Sequence, residues 1–122
     1  MAISKKGLTM SLQSCVFCSI IANKIPADKI YENEHLIVIK DIAPKAPVHL
    51  LIIPKIHVPD VASLTEPHAP YAAAILLATA ELKKNLTGSQ SFRLITNTGV
   101  DAGQTVFHLH FHFLSGKKMI DL

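Results

Sequence analysis

The chain has 122 residues and a formal net charge of +3, from 12 basic and 9 acidic residues. This length suits one domain with one core, and a composition of 49% hydrophobic and 17% charged residues indicates a folded protein rather than a disordered one. Arg93 is the single arginine. A single arginine argues against nucleic-acid binding and against a cluster of arginines as the main means of binding phosphate.

The N-terminal residues and the cysteines predict the cellular setting. Residues 1–14 lack a long apolar core, so we expect a flexible arm rather than a signal peptide, followed by one domain over residues 15–122. The longest apolar runs have the length of strands, which argues against a membrane span. Two cysteines, Cys15 and Cys18, are too few for a disulfide framework, so a cytoplasmic protein with reduced thiols is expected.

Periodicity and chain breakers predict the secondary structure. Helical spacing of apolar residues predicts two helices, over 15–24 and 63–86. Runs rich in β-branched and aromatic residues predict five strands, over 29–33, 35–40, 48–53, 92–96 and 106–114. The predicted fold is therefore α+β, with about five mostly antiparallel strands and two helices.

The run from His108 to Leu114 alternates histidines with apolar residues. In a strand, this alternation would place His108, His110 and His112 on one face. Three imidazoles on one face favour a functional site over a packing role. Two chemistries fit them, namely zinc binding and nucleophilic attack on phosphorus with a covalent intermediate. The alternation alone does not decide between the two.

This run also resembles the signature of the histidine triad (HIT) family. His108 to Leu114 matches the pattern His-φ-His-φ-His-φ-φ, in which φ is apolar, throughout. Residues 103–107, 41–49 and 53–57 are similar to further family blocks, so the similarity covers about residues 15–119. The ending Leu114-Ser115-Gly116 is similar to the nucleotide-binding branch of the family, which has nucleoside phosphoramidase activity.

The resemblance implies an enzyme that hydrolyses the P–N bond of purine nucleoside 5′-monophosphoramidates through a nucleotidyl-histidine intermediate. His112 occupies a position that is glutamine in the nucleotidyltransferase branch, which favours hydrolysis over transfer. Two alternatives remain open at this point: hydrolysis of dinucleoside polyphosphates, and a nucleotide-binding adaptor with little turnover. The resemblance also implies a homodimer with one continuous sheet, and chemistry that needs no cofactor.

The resemblance assigns roles to individual residues. His110 would be the nucleophile, His112 would donate to the phosphate, and His108 would orient the other two. Asp41 would accept hydrogen bonds from the ribose hydroxyls. Beyond the histidines, the implied nucleotide-binding residues are Phe17, Ile20, Ile39, Asp41, Ile42, Asn97, Gly103, Gln104, Thr105 and Val106. Among those expected to line a purine slot, Ile20 and Ile39 are equally expected as ordinary core.

A structural zinc site is also implied by the resemblance. In some HIT proteins, a similarly placed cysteine pair joins two histidines to bind zinc. The corresponding residues here would be Cys15, Cys18, His49 and His108. His57 matches a family position as well, and we expect it to have a structural role.

Overall fold

The structure, a computed structural model, describes residues 15–119. The predicted arm at 1–14 and the last three residues of the predicted domain lie outside the described residues. The described chain contains two helices, α1 (Val16–Ile21) and α2 (Ala69–Lys83). Its strands are β1 (Lys29–Glu32), β2 (Leu36–Lys40), β3 (Val48–Pro54), β4 (Phe92–Ile95) and β5 (Phe111–Ser115). Neither α1 nor α2, nor any other helical segment of residues 15–119, has the length and apolar character that a membrane span requires.

The five strands form one sheet in the order β1-β2-β3-β5-β4, and every neighbouring pair is antiparallel. This arrangement confirms the predicted α+β fold. Strands β2 and β3 read as almost continuous apolar runs because both of their faces are covered. Strands β1 and β4 are the two edges of the described sheet.

The two helices cover opposite faces of the sheet. On the α2 face, Leu36, Leu50 and Phe113 pack with Ile75 and Leu82 of the helix. The residues of the α1 face alternate with these along each strand, as the pleat requires. That smaller cluster contains Phe17, Ile20, Ile37, Ile39, Leu51 and Ile53. Because this cluster draws its strand residues from β2 and β3 only, it leaves the same face of β5 and β4 outside it.

The last predicted strand differs most from the observed one. It begins at Phe111 rather than at residue 106, because the preceding residues bond elsewhere. Leu109 N–H donates to the carbonyl of Val58 (2.7 Å) instead of to a neighbouring strand. The pairing with β4 also ends where Ile95 meets His112, so no strand residue of β4 is left for residues 106–110.

The long predicted helix is shorter than expected at its start. A 3-10 turn, Glu66–His68, precedes α2, and Thr65 stands before this turn rather than before the α-helix. Thr65 N–H donates to His68 Nδ1 (3.0 Å), which satisfies an N–H that the turn leaves without a backbone partner.

The turn after β5 gives a test of the fold. Gly116 has φ +97°, and a Cβ built on it would lie 2.9 Å from Pro47 Cβ, which is inside normal contact. Gly88 has φ +71°, but its Cβ would meet nothing within 4 Å. We expect Gly116→Ala to lower the free energy of unfolding by about 3 kcal/mol, from backbone strain plus overpacking. Gly88→Ala should cost only about 1 kcal/mol, from strain alone.

Urea denaturation of the two variants measures this difference directly. Equal losses of stability for Gly116→Ala and Gly88→Ala would show that Pro47 does not constrain the turn.

Candidate active site

The three histidines of the run lie on the α1 side of the sheet, as the alternation predicts, although only His112 belongs to β5. The apolar residues between them, Leu109, Phe111 and Phe113, pack in the α2-side core. His108 is fully buried and faces the cysteine pair. His110 and His112 form a separate pair, with ring centroids 5.2 Å apart. The run thus supplies two adjoining sites instead of one.

The imidazole of His110 is held in one orientation. Its Nδ1 lies 2.8 Å from the carbonyl oxygen of His108. A carbonyl only accepts, so Nδ1 carries the proton and Nε2 presents a lone pair. The ring also makes an edge contact with Phe17 (5.1 Å between centroids), and Thr96 Oγ1 donates to the His110 carbonyl (2.8 Å). His110 is therefore oriented with Nε2 as its nucleophilic atom.

A chain of hydrogen bonds runs from β3 to His112. Lys45 N–H donates to Nδ1 of His49 (2.9 Å), so a neutral His49 carries its proton on Nε2. That Nε2 lies 2.9 Å from Nδ1 of His112 and donates to it. The proton of a neutral His112 is then on its own Nε2. His112 therefore presents an N–H donor beside the lone pair of His110.

Asp41 joins this chain from the end of β2. One carboxylate oxygen accepts from Ala43 N–H (2.7 Å), and the other lies 3.3 Å from Nε2 of His49. Burial lowers the pKa of both His49 and His112, and the nearby charge of Asp41 opposes this lowering in each. His110 adds to the lowering at His112, and Lys45 adds to it at His49. Both histidines are thus neutral near pH 7 in the free protein.

Two sulfur atoms and two ring nitrogens lie close together around His108. His108 Nδ1 lies 3.3 Å from Cys15 Sγ, 3.5 Å from Cys18 Sγ and 3.2 Å from His57 Nδ1. Cys18 Sγ is 3.2 Å from the same nitrogen of His57. His49 lies instead with Asp41 and His112, so the prediction that it completes this set is wrong and His57 takes its place. The reason is the position of each histidine along the chain. His49 lies within β3, where it pairs with Leu114 of β5, whereas His57 lies after the end of β3 at Pro54.

This set has the geometry and chemistry of a zinc site. Ligand bonds of about 2.0–2.3 Å in a tetrahedron place ligand atoms roughly 3.3–3.8 Å apart, close to the observed separations. His108 Nε2 donates to the Pro54 carbonyl (3.0 Å), which leaves Nδ1 unprotonated toward the sulfurs. Burial raises the pKa of Cys18 to about 11, with Cys15 adding to the rise, and burial lowers that of His108 to about 4. A central cation would favour the thiolates that burial disfavours. Cys15, Cys18, His57 and His108 therefore fit zinc.

The residues expected to line a purine slot behave differently from one another. Phe17, Ile20 and Ile39 are each only 6% exposed and belong to the α1-side core. Ile42 is fully exposed and does not join that core. Of the four, it is therefore the residue whose side chain is open to a ligand.

The loop before the triad is braced by Gln104. Its side-chain oxygen accepts from Gly99 N–H (2.8 Å), and its nitrogen donates to the carbonyls of Pro59 (2.7 Å) and Val106 (3.1 Å). Gln104 is 4% exposed, so its side chain is not open to a nucleotide, and any contact of this predicted residue with a ligand falls to its backbone. An amide with these three bonds stabilises the loop and has little capacity left for a phosphate.

The other predicted residues of this loop differ in their exposure to solvent. Thr105 is exposed, whereas Val106 packs against the α1-side core. Asn97 is half-buried and stands beside Gly103, where a Cβ would lie 3.8 Å from the Asn97 amide nitrogen. Gly103 itself has φ +102°, a conformation that glycine adopts without strain.

Two residues with clear roles were missed at the sequence level. A structural role is expected for His57, but the sequence does not indicate that it lies with the cysteine pair and His108. Thr96, which holds the His110 backbone, carries no signal in the sequence because its bond joins residues that meet only through the β4–β5 pairing.

Comparisons with known proteins identify the family of this chain. A family model described as scavenger mRNA decapping enzyme C-terminal binding matches residues 14–121. Protein HitA of Neisseria gonorrhoeae is 40% identical over 103 residues, which cover 84% of this chain and 96% of HitA. A solved HIT family hydrolase from Clostridium thermocellum is 47% identical, with a TM-score of 0.85 and coverage of 91% of this chain and 97% of that one.

A second solved HIT family hydrolase, from Legionella pneumophila, is 35% identical with a TM-score of 0.82, and the match covers 88% of this chain and 96% of that one. The likeness therefore extends over nearly the whole domain. By sequence and fold, this chain belongs to the histidine triad family.

Proposed function

We propose that this chain hydrolyses the P–N bond of purine nucleoside 5′-monophosphoramidates, with His110 as a covalent nucleophile. The observation that carries the proposal is the bond from His110 Nδ1 to the His108 carbonyl, which leaves the lone pair of Nε2 beside the Nε2–H of His112. The names of the solved relatives from Clostridium thermocellum and Legionella pneumophila, both HIT family hydrolases, support hydrolysis as the reaction class.

The first step forms the covalent intermediate. His110 Nε2 attacks the phosphorus, and the P–N bond to the amine breaks as the new bond forms. The electrons of the broken bond stay on the amine nitrogen, which takes up one proton from solvent and leaves as a neutral amine. His112 keeps its Nε2 proton and donates it as a hydrogen bond to a phosphate oxygen.

The second step returns the enzyme to its starting state. Water attacks the same phosphorus, and the electrons of the P–Nε2 bond return to His110. The proton released by the water goes to solvent, which balances the proton taken up in the first step, and a nucleoside monophosphate is released. His112 stabilises the phosphate oxygens as charge develops on them, a role that arginine plays in other phosphate sites.

The nucleoside is proposed to lie toward β2 and its following loop. The Asp41 carboxylate would accept from the ribose hydroxyls, and the exposed side chain of Ile42 would contact the base. Burying one such aliphatic side chain against a base is worth about 1.5–3 kcal/mol, which is a large part of the affinity for a mononucleotide. Thr105, exposed in the loop before the triad, is a further candidate for contact with the phosphate.

The role of His110 is tested by removing its imidazole. We expect His110→Ala to lower turnover of adenosine 5′-phosphoramidate by at least about 1,000-fold, because both steps pass through this ring. Nucleotide affinity should stay within about threefold, since Asp41 and the apolar contacts remain. Mass spectrometry of a rapidly quenched wild-type reaction should show a nucleotidyl adduct on His110.

The same assay run with a dinucleoside polyphosphate compares the two hydrolytic activities. A rate in His110→Ala close to that of the wild type, or an adduct on His108 or His112, would contradict the proposal.

We also propose that zinc occupies the Cys15, Cys18, His57 and His108 site and supports the fold rather than the reaction. We expect His57→Ala to lose bound zinc and to melt at a lower temperature, because one of four ligands is gone. His49→Ala should keep its zinc, since His49 lies in the other cluster. Metal analysis of the two purified variants decides between them, and zinc lost from both or from neither would refute the assignment.

The chain is further proposed to form a homodimer through α2 and the β4 edge. Leu76 and Leu77 are 58% and 70% exposed on α2, which is unusual for neighbouring leucines on a free surface. Strand β4 has an unpaired side within the described sheet, and a symmetry mate can extend the sheet there. Sedimentation at micromolar concentration should give a dimer for the wild type and a monomer for the double substitution Leu76→Glu and Leu77→Glu. A monomeric wild type would reject the dimer.

A further inference from the structure

The backbone of His110 lies just outside both ladders of β5. Within the described sheet, the pairing of β5 with β3 ends at Phe111, and the pairing with β4 ends at His112. Thr96 follows directly after β4, and its hydroxyl donates to the carbonyl of His110 (2.8 Å). A side chain therefore makes the bond to His110 at the point where the backbone ladder with β4 stops.

His110 is thus held at two points, and the two bonds have different effects. The bond from its Nδ1 to the His108 carbonyl (2.8 Å) fixes the ring relative to its own stretch of chain. Because that bond is local, it would move with the stretch if the stretch shifted. The bond from Thr96 instead joins the stretch to the end of β4, as the bond from Leu109 N–H joins it to the Val58 carbonyl (2.7 Å). The direction of the His110 ring relative to the sheet therefore depends on Thr96 as well.

We propose that Thr96 is a positioning residue for the nucleophile, and that its hydroxyl holds the backbone of His110 so that Nε2 points at the phosphorus of a bound substrate. The inference rests on the proposed function, because Thr96 acts on the reaction through the proposed role of His110. A misplacement of about 1 Å can lower a rate by about 100-fold, so a bond at the backbone of the reacting residue matters for turnover. Thr96 acts through His110 and not on the substrate, so it contributes to kcat and not to nucleotide affinity.

The first test removes the hydroxyl and nearly keeps the shape of the side chain. In Thr96→Val the His110 carbonyl loses this donor, and we expect kcat for adenosine 5′-phosphoramidate to fall about tenfold while the Kd for adenosine monophosphate stays within about twofold. Thr96→Ser keeps a hydroxyl donor and should retain at least about one third of the wild-type kcat. Equal losses in the two variants, or a wild-type kcat in Thr96→Val, would overturn the proposal.

A matched control removes a similar bond on the opposite face of the sheet. Thr79 Oγ1 donates to the carbonyl of Leu76 (2.6 Å) within α2, which packs on the face away from α1. Thr79→Val should therefore keep the wild-type kcat. If it loses as much activity as Thr96→Val, the loss comes from a general effect on the fold and the positioning role is rejected.

A free imidazole separates an effect on the His110 backbone from an effect on a neighbour such as Asn97. His110→Gly removes the ring, and added imidazole can then attack the phosphorus in its place. A ring that is not attached to the backbone gains nothing from Thr96, so adding Thr96→Val to His110→Gly should change the imidazole-dependent rate by less than about twofold. A loss as large as in the intact site would mean that Thr96 acts elsewhere, and the inference fails.

A measurement without substrate separates this inference from the reaction itself. In the free wild-type protein, nitrogen NMR should show one set of His110 ring signals, with the proton on Nδ1. Thr96→Val should broaden or split these signals, because the ring samples more than one direction, whereas Thr79→Val should not.

The two proposals therefore fail in different ways. If the wild type hydrolyses no phosphoramidate but the ring signals of Thr96→Val change as expected, the proposed function fails and the positioning of His110 by Thr96 stands. If hydrolysis proceeds through His110 and the ring signals of Thr96→Val match those of the wild type, the reaction stands and the positioning role is rejected.

Discussion

The hydrogen bond from His110 Nδ1 to the carbonyl of His108 is the constraint on which the site depends. It is a short contact of 2.8 Å between residues two apart in the chain, and it fixes both the tautomer and the direction of the ring that we propose as the nucleophile. The side chain of His108 lies in the cluster with Cys15, Cys18 and His57. One residue thus has its backbone in the active site and its imidazole in the candidate zinc site. Contacts that fix the His108 side chain therefore also fix the His108 carbonyl, which accepts the hydrogen bond from His110.

A second feature of the candidate site is that His49 and His112 are neutral, whereas many phosphate-binding sites hold a fixed positive charge. Burial lowers the pKa of His49 and His112, so neither ring is charged in the free protein near neutral pH. The backbone N–H of Lys45 fixes the tautomer of His49, and His49 fixes that of His112. A donor prepared in this way is oriented before the substrate arrives, which lowers the cost of reorganisation during the reaction.

The sheet explains why the two flanks of the site differ. Helix α1 has six residues and packs against β2 and β3, so it closes only part of its face. The covered part is apolar and buried, whereas the part over β5 and β4 is a groove with basic walls. The same short helix brings Cys15, Cys18 and Phe17 to the triad, with Phe17 in edge contact with both His108 and His110. Because α1 is short, one flank of the site is covered and apolar while the other is left uncovered. The same helix places the cysteine pair beside the triad.

The sequence by itself determined the α+β fold, the family and the central place of His110, because apolar periodicity and the histidine spacing are local properties of the chain. The tertiary structure decided which side chains meet. It put His57 rather than His49 with the cysteines, and it buried His108 among them while His112 lies with His49 and Asp41. It also placed Gln104 inside a loop, where Gly99, Pro59 and Val106 use its amide. Contacts of this kind depend on strand register and on where a ladder ends, and these are fixed by pairing between distant segments rather than by the residues on either side.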